Sequence, residues 1–175
     1  TILMVLPPDA EIDLAVMGRP PREMALRAEP FAINPLGFVA PPGHPLVLAG
    51  HADVQGLVGV PMVAREKNSG TRGVQDRWFA ERHLSPQVVL EAWSNEVIKQ
   101  AVMAGMGISL LSLHTLGLEL DHGLIAVPEV EGLPVMRRWH VVNNLAKTLS
   151  PAAEAFRYFI LERGESFLAE QFARH

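Results

Sequence analysis

The sequence predicts an α/β protein built on largely parallel sheets and arranged as two lobes. Three observations carry this. Apolar runs of strand length alternate with segments of helical spacing along the chain. Helical segments open on capping residues set directly after a strand, as in Asn68-Ser69-Gly70-Thr71 and Trp93-Ser94-Asn95. Pro and Gly cluster at 18–21, 41–45 and 132–134, the second and third where a chain can leave one lobe and return. The expected lobes are 1–40 with 135–175, and 41–134, joined by two crossings.

The elements follow in order. Ile12 to Met17 (IDLAVM) is a short apolar run after the Pro7-Pro8-Asp9 turn and before Gly18-Arg19-Pro20-Pro21, which predicts a buried parallel strand. Leu36 to Ala40 (LGFVA) is a second strand, closed by Pro41-Pro42-Gly43. Ala52 to Leu57 gives one or two helical turns, and Pro61 to Arg65 (PMVAR) a strand. Thr71 to His83 has helical spacing, with Val74, Trp78 and Phe79 on one side. Val88 to Ala92 (VVLEA) is the next strand. Ser94 opens a helix whose apolar side carries Val97, Ile98, Ala101 and Val102 and which ends at Gly105. Ile108 to Leu113 is a strand, His114 to Leu120 helical, Leu124 to Val127 and Met136 to Val142 strands. Ser150-Pro151 opens a long C-terminal helix, with Ser150 as N-cap and Glu154 as its capping-box partner.

Composition removes several function classes. Hydrophobic residues make 49% of the 175 and charged ones 19%, so the chain folds rather than staying disordered. The net charge of −4 gives no electrostatic footprint for nucleic acid. Cysteine is absent, which excludes disulfides, thiolate metal sites and a cysteine nucleophile, and makes the cytoplasm the expected compartment. No stretch reads as a membrane span. The chain begins at Thr1, so it reads as a piece of a longer protein. The seven histidines (44, 51, 83, 114, 122, 140, 175) fall in no metal-binding spacing, so no metal or cofactor is expected. Gly105-Met106-Gly107 follows a helix and precedes a strand, the reverse of a dinucleotide fingerprint, and reads as a turn. No nucleophile elbow or acid/base pair occurs, so no enzyme is expected.

One loop carries chemistry. Asn68, Ser69 and Gly70 lie between the carboxyl end of a strand and the amino end of a helix, where open α/β sheets bind ligands. Helix-terminal N–H groups favour an anion there, Ser69 and Thr71 supply hydroxyls, and Arg72 has the fork to pair with it. A bare helix cap would use the same residues, and the loop alone leaves both readings open. Trp93-Ser94-Asn95 repeats the layout, with Trp93 bordering that second candidate. Arg19 stands just after the first strand.

Several segments together resemble the effector-binding domain of LysR-type transcriptional regulators. They are EIDLAVMGRPP (11–21), FVAPPGHPL (38–46), REKNSGTR (65–72), NEVIKQAVMAGMGISLL (95–111) and SPAAEAFRYF (150–159), in the family's order over nearly the whole chain. MGRPP, NSGTR and the tail from Asn143 are most similar to regulators of Calvin-cycle operons. The resemblance implies two Rossmann-like lobes of the periplasmic-binding-protein type 2, with the first lobe incomplete at its N-terminus. It implies a small anionic effector, such as ribulose 1,5-bisphosphate, phosphoenolpyruvate or NADPH, bound in a cleft. Arg19, Asn68, Ser69, Gly70 and Thr71 match effector-contacting positions, and Asn95 a helix start beside them. It further implies a homodimer or homotetramer that meets promoter DNA through an N-terminal helix-turn-helix outside this chain. The alternative is a solute-binding protein of a transport system with the same fold.

Overall fold

The computed structural model describes residues 12–21 and 23–172. The Pro7-Pro8-Asp9 turn, Glu11 and His175 lie outside them. In chain order the elements are β1 (Ala15–Met17), β2 (Leu26–Val39), α1 (Pro45–Leu48), β3 (His51–Ala52), a 3-10 turn (Val54–Leu57), β4 (Pro61–Arg65), α2 (Gly70–Ala80), β5 (Gln87–Ala92), α3 (Asn95–Met103) and β6 (Ser109–Ser112). A 3-10 turn (Leu113–Thr115), α4 (Gly117–Asp121), β7 (Glu129–Val130), β8 (Val135–Asn144) and α5 (Pro151–Phe172) complete them. The chain divides into one unit of 1–34 with 136–174 and another centred on 35–135, the first passage falling inside β2.

In the first unit β1 pairs antiparallel with β8, Val16 opposite Val141, rather than in the parallel sheet expected for it. β2 begins ten residues before the predicted LGFVA run. Pro30 and Pro35 hide that extension, because proline removes a ladder donor and argues against a strand. α5 starts as the Ser150-Pro151 signal predicts, with Ser150 Oγ accepting from the Ala153 N–H at 3.2 Å. Glu154 sits one position too far along for a capping box. It takes the guanidinium of Arg157, whose Nη2 donates to it at 2.9 Å and whose Nη1 reaches Glu29 of β2. Arg157 is buried, so this pair fastens α5 to the strand. Gly164 lets the helix come close: a Cβ there would lie 2.5 Å from the Phe31 ring.

The second unit holds the parallel pairing. β4 and β5 run parallel with Arg65 opposite Ala92. An isolated parallel bridge, Met62 to Ile108, links β4 to the start of β6, and β6 pairs antiparallel with the end of β2. The architecture is therefore mixed rather than largely parallel.

Period-two alternation sorts side chains to the two faces. Phe38, Met62 and Leu110 join one cluster with Trp78 and Phe79 of α2, while Val39, Val63 and Leu111 join another with Ile98, Ala101 and Val102 of α3. The first cluster is centred on three mutually edge-on rings, Phe38, Trp78 and Phe79, with centroids 5.2–6.0 Å apart. α2 and α3 therefore cover opposite faces.

Two further expectations shift. The predicted helix from His114 breaks into a 3-10 turn and α4, and the predicted strand Leu124–Val127 keeps only a bridge from Ala126 to Ala40. Gly105-Met106-Gly107 is a turn, as expected, with Gly105 in the left-handed region at φ 77°. Gly107 has a second reason to be glycine. A Cβ there would stand 2.4 Å from the Pro61 carbonyl oxygen, which accepts the Ile108 N–H at 2.9 Å.

Gly107→Ala should therefore push β4 and β6 apart and cost about 1–3 kcal/mol, read as a lower urea midpoint. Acid should act in two stages. Burial lowers the pKa of His44, His114 and His140 below the ordinary 6.5. Below 6.5 the unfolded chain then binds more protons than the folded one, so stability falls as pH drops through that value. Glu96 and Glu154 are held below 4.5 by hydrogen bonds from Lys99 and Arg157, so their contribution is lost only at lower pH, as each folded carboxylate protonates. Urea midpoints measured between pH 7.5 and 3.5 should show both declines; a flat profile from 7 to 5 would contradict the first.

Candidate functional site

The Asn68–Thr71 loop and the Ser94–Asn95 cap meet because β4 and β5 are adjacent, parallel and level at their carboxyl ends. The chain leaves β4 at Arg65 and enters α2 at Gly70; it leaves β5 at Ala92 and enters α3 at Asn95. Two helix N-termini of 11 and nine residues thus emerge at one sheet edge. Both are capped alike. Ser69 Oγ accepts the Thr71 N–H at 3.2 Å, and Ser94 Oγ accepts the Glu96 N–H at 3.2 Å. The cap reading of the loop is thus realised, and it leaves the dipoles of both first turns directed at the same edge. Asn68 is exposed in the turn, whereas Ser69 and Thr71 are buried and Gly70 half-buried.

Beneath the two termini lies a residue the loop pattern did not single out. Arg65 is 1% exposed at the end of β4. Alternation puts it on the Val63 face, which α3 covers, so its side chain runs to the start of that helix. Nε and Nη2 donate to the two oxygens of Glu66 at 2.8 and 2.9 Å, and Nη1 donates to Asn95 Oδ1 at 2.6 Å. The fork is bidentate on a carboxylate that is itself buried. The sequence held one signal for it: a charged dipeptide closing an apolar strand, where a buried charge demands a partner.

Arg72 is placed differently from its expected role. Its Nε donates to Asp76 at 2.8 Å, and its Nη1 to Glu91 and to the Arg65 carbonyl, each at 3.0 Å. Burial disfavours its charged form, but the hydrogen bonds and charges of Asp76 and Glu91 outweigh this and raise its pKa. The guanidinium thereby ties the first turn of α2 to β4 and β5 rather than offering a free fork to a ligand. Arg19 is exposed in the bend after β1 and belongs to the other unit. Trp93 is 77% exposed beside the Ser94 cap. Among the described residues no cluster of His, Asp and Glu has a metal-holding arrangement, and no helix is long and apolar enough to cross a membrane.

Two variants separate these arginines. Glu66→Ala leaves the Arg65 charge buried without its carboxylate and should cost about 3–5 kcal/mol in urea unfolding. Arg72→Ala loses pairs whose acidic members are half exposed and should cost only about 1 kcal/mol. Its effect on anion affinity should be small, contrary to the simplest reading of NSGTR.

Comparison with known proteins places this geometry in a family. The LysR substrate binding domain matches residues 8–165. The HTH-type transcriptional regulator CfxR of Cupriavidus necator is 49% identical over 172 residues, which cover 98% of this chain and 54% of that protein. A RuBisCO operon transcriptional regulator of Allochromatium vinosum is 43% identical, covering 86% of this chain and 50% of that protein. The chain thus spans about half the length of these curated relatives. Among solved structures, the Synechocystis PCC6803 CcmR regulatory domain in complex with 2-PG superposes with a TM-score of 0.80 at 37% identity, covering 87% of this chain and 73% of that one. The effector binding domain of QuiR in complex with shikimate gives 0.75 at 24% identity, over 87% and 71%, a likeness of fold. The α/β fold is that of LysR regulatory domains, of the periplasmic-binding-protein type 2. With the family matched over most of its length, this chain belongs to the LysR substrate binding domain family.

Proposed function

We propose that this chain is the effector-sensing domain of a LysR-type regulator of carbon-fixation genes, and that its signal is a small phosphorylated anion. The observation that carries the ligand class is the pair of helix N-termini at the level ends of β4 and β5, with Asn95 at the second of them anchored by the buried Arg65. Donors and partial positive charge collect there, as phosphate requires. The likeness to the RuBisCO operon transcriptional regulator supports the gene class, and the 2-PG held by the CcmR domain supports the ligand class. The site residues in this reading are Asn68, Ser69, Gly70, Thr71 and Asn95, with Arg65 and Glu66 beneath them.

The site is one of binding, not catalysis. An effector acts by its difference in affinity for two arrangements of the protein, which the whole regulator converts into a change at its promoter. The whole protein is a cytoplasmic homodimer or homotetramer in this reading, with promoter contact made by a helix-turn-helix segment. A transport-type binding protein is not favoured, because the curated relatives are transcriptional regulators.

Calorimetric titration of the full-length protein tests the assignment. The ligands are 2-phosphoglycolate, ribulose 1,5-bisphosphate, phosphoenolpyruvate, NADPH and the unphosphorylated control glycolate. Saturable binding of at least one phosphorylated ligand, with none of glycolate, is expected. Asn68→Asp should weaken that binding by roughly an order of magnitude while stabilising α2, because a carboxylate before a helix N-terminus suits the dipole but repels an anion. No binding of any phosphorylated ligand would remove the reading.

A further inference from the structure

Asn95 is held by one end only. A guanidinium carries donors and no acceptor, so the atom that Arg65 Nη1 meets at 2.6 Å is the amide oxygen, whichever way the amide is drawn. The amide nitrogen is turned the other way and meets no acceptor among the described residues. Asn95 is half-buried at the first position of α3. Glu66 makes this orientation rigid, because its two oxygens grip Nε and Nη2 and fix the guanidinium plane. A lone lysine, with a rotating point charge, has no such fork.

We propose that Arg65 is a positioning residue that sets the polarity of the site. By holding Asn95 Oδ1 it turns the amide so that its N–H donors, rather than its oxygen, face a ligand at the α2 and α3 termini. The site then takes a group rich in oxygen acceptors, a phosphate or carboxylate, and discriminates against amines, amides and other donor groups in that place. Arg65 acts through Asn95 and need not touch the ligand. This inference rests on the effector reading above and adds to it the direction in which hydrogen bonds run.

Asn95→Asp tests the inference in the full-length protein, with 2-phosphoglycolate as the calorimetric probe and thermal unfolding run in parallel. The aspartate keeps an oxygen for Arg65 and suits the helix dipole, so the melting temperature should hold or rise. Its other oxygen replaces the N–H donors with an acceptor, so affinity should fall by about tenfold or more. That carboxylate also repels an anion through space, so the polarity is read from a variant that adds no negative charge, in which a role confined to stability would leave affinity intact. Arg65→Lys is the second variant: it keeps a cation beside Glu66 but releases the Asn95 amide, and should weaken the same ligand by a similar factor. Wild-type protein that binds 2-phosphoglycolate, with either Asn95→Asp or Arg65→Lys binding it equally well, would overturn the inference and leave the effector reading standing. Wild-type protein that binds none of the phosphorylated ligands would overturn both.

Discussion

The buried ion pair between Arg65 and Glu66 is the constraint on which the candidate site depends. Two adjacent charges leave water together at the end of β4, and neither is tolerable there without the other. The pair gives no large gain over two well-packed apolar side chains of the same volume; its value is geometric. The guanidinium holds the start of α3 through Asn95, and the carbonyl of the same residue receives Arg72 from α2. One strand-terminal residue thus fixes two helices that cover opposite faces of the sheet. The caps at Ser69 and Ser94 form on each helix separately; the parallel pairing of β4 and β5 brings them to one edge, and Arg65 anchors Asn95 there.

Much of the fold was legible because its signals are local. Strand β4 matches PMVAR residue for residue, and the cap signals at Ser69, Ser94 and Ser150 each mark a real helix start. What was not legible depends on partners distant in sequence. The antiparallel place of β1 is decided by β8, some 125 residues later, and no pattern within IDLAVM reports it. The first part of β2 was hidden by two prolines that the sheet tolerates. Leu124–Val127 has a strand's composition but meets a neighbour only at Ala126.

The candidate site shows the same division. The helix starts at NSGT and at Asn95 are legible because caps have a sequence signature. Arg72 was given an anion because a cation beside a cap suits one, yet Asp76 one turn later and Glu91 on the next strand claim it first. The i,i+4 spacing to Asp76 was visible in the sequence; the reach to Glu91 was not. Arg65 lay in the opposite situation. It reads as the polar end of a strand, and beyond the charged dipeptide it forms with Glu66, the alternation of faces with α3 in place is what shows that its side chain turns inward.

Trp93 supplies an optical consequence of this layout. Trp78 is buried against two phenylalanine rings, whereas the Trp93 indole is 77% exposed two residues before Asn95. These two of the three tryptophans therefore sit in contrasting dielectric surroundings, one dry, the other bathed in solvent, with the half-buried Trp139 of β8 between those extremes. Emission from Trp93 should lie to the red and be open to iodide, while Trp78 emits to the blue and is shielded. The protein thus carries its own dye beside the α3 terminus, and iodide sets its signal apart from that of the shielded Trp78 without attaching a label.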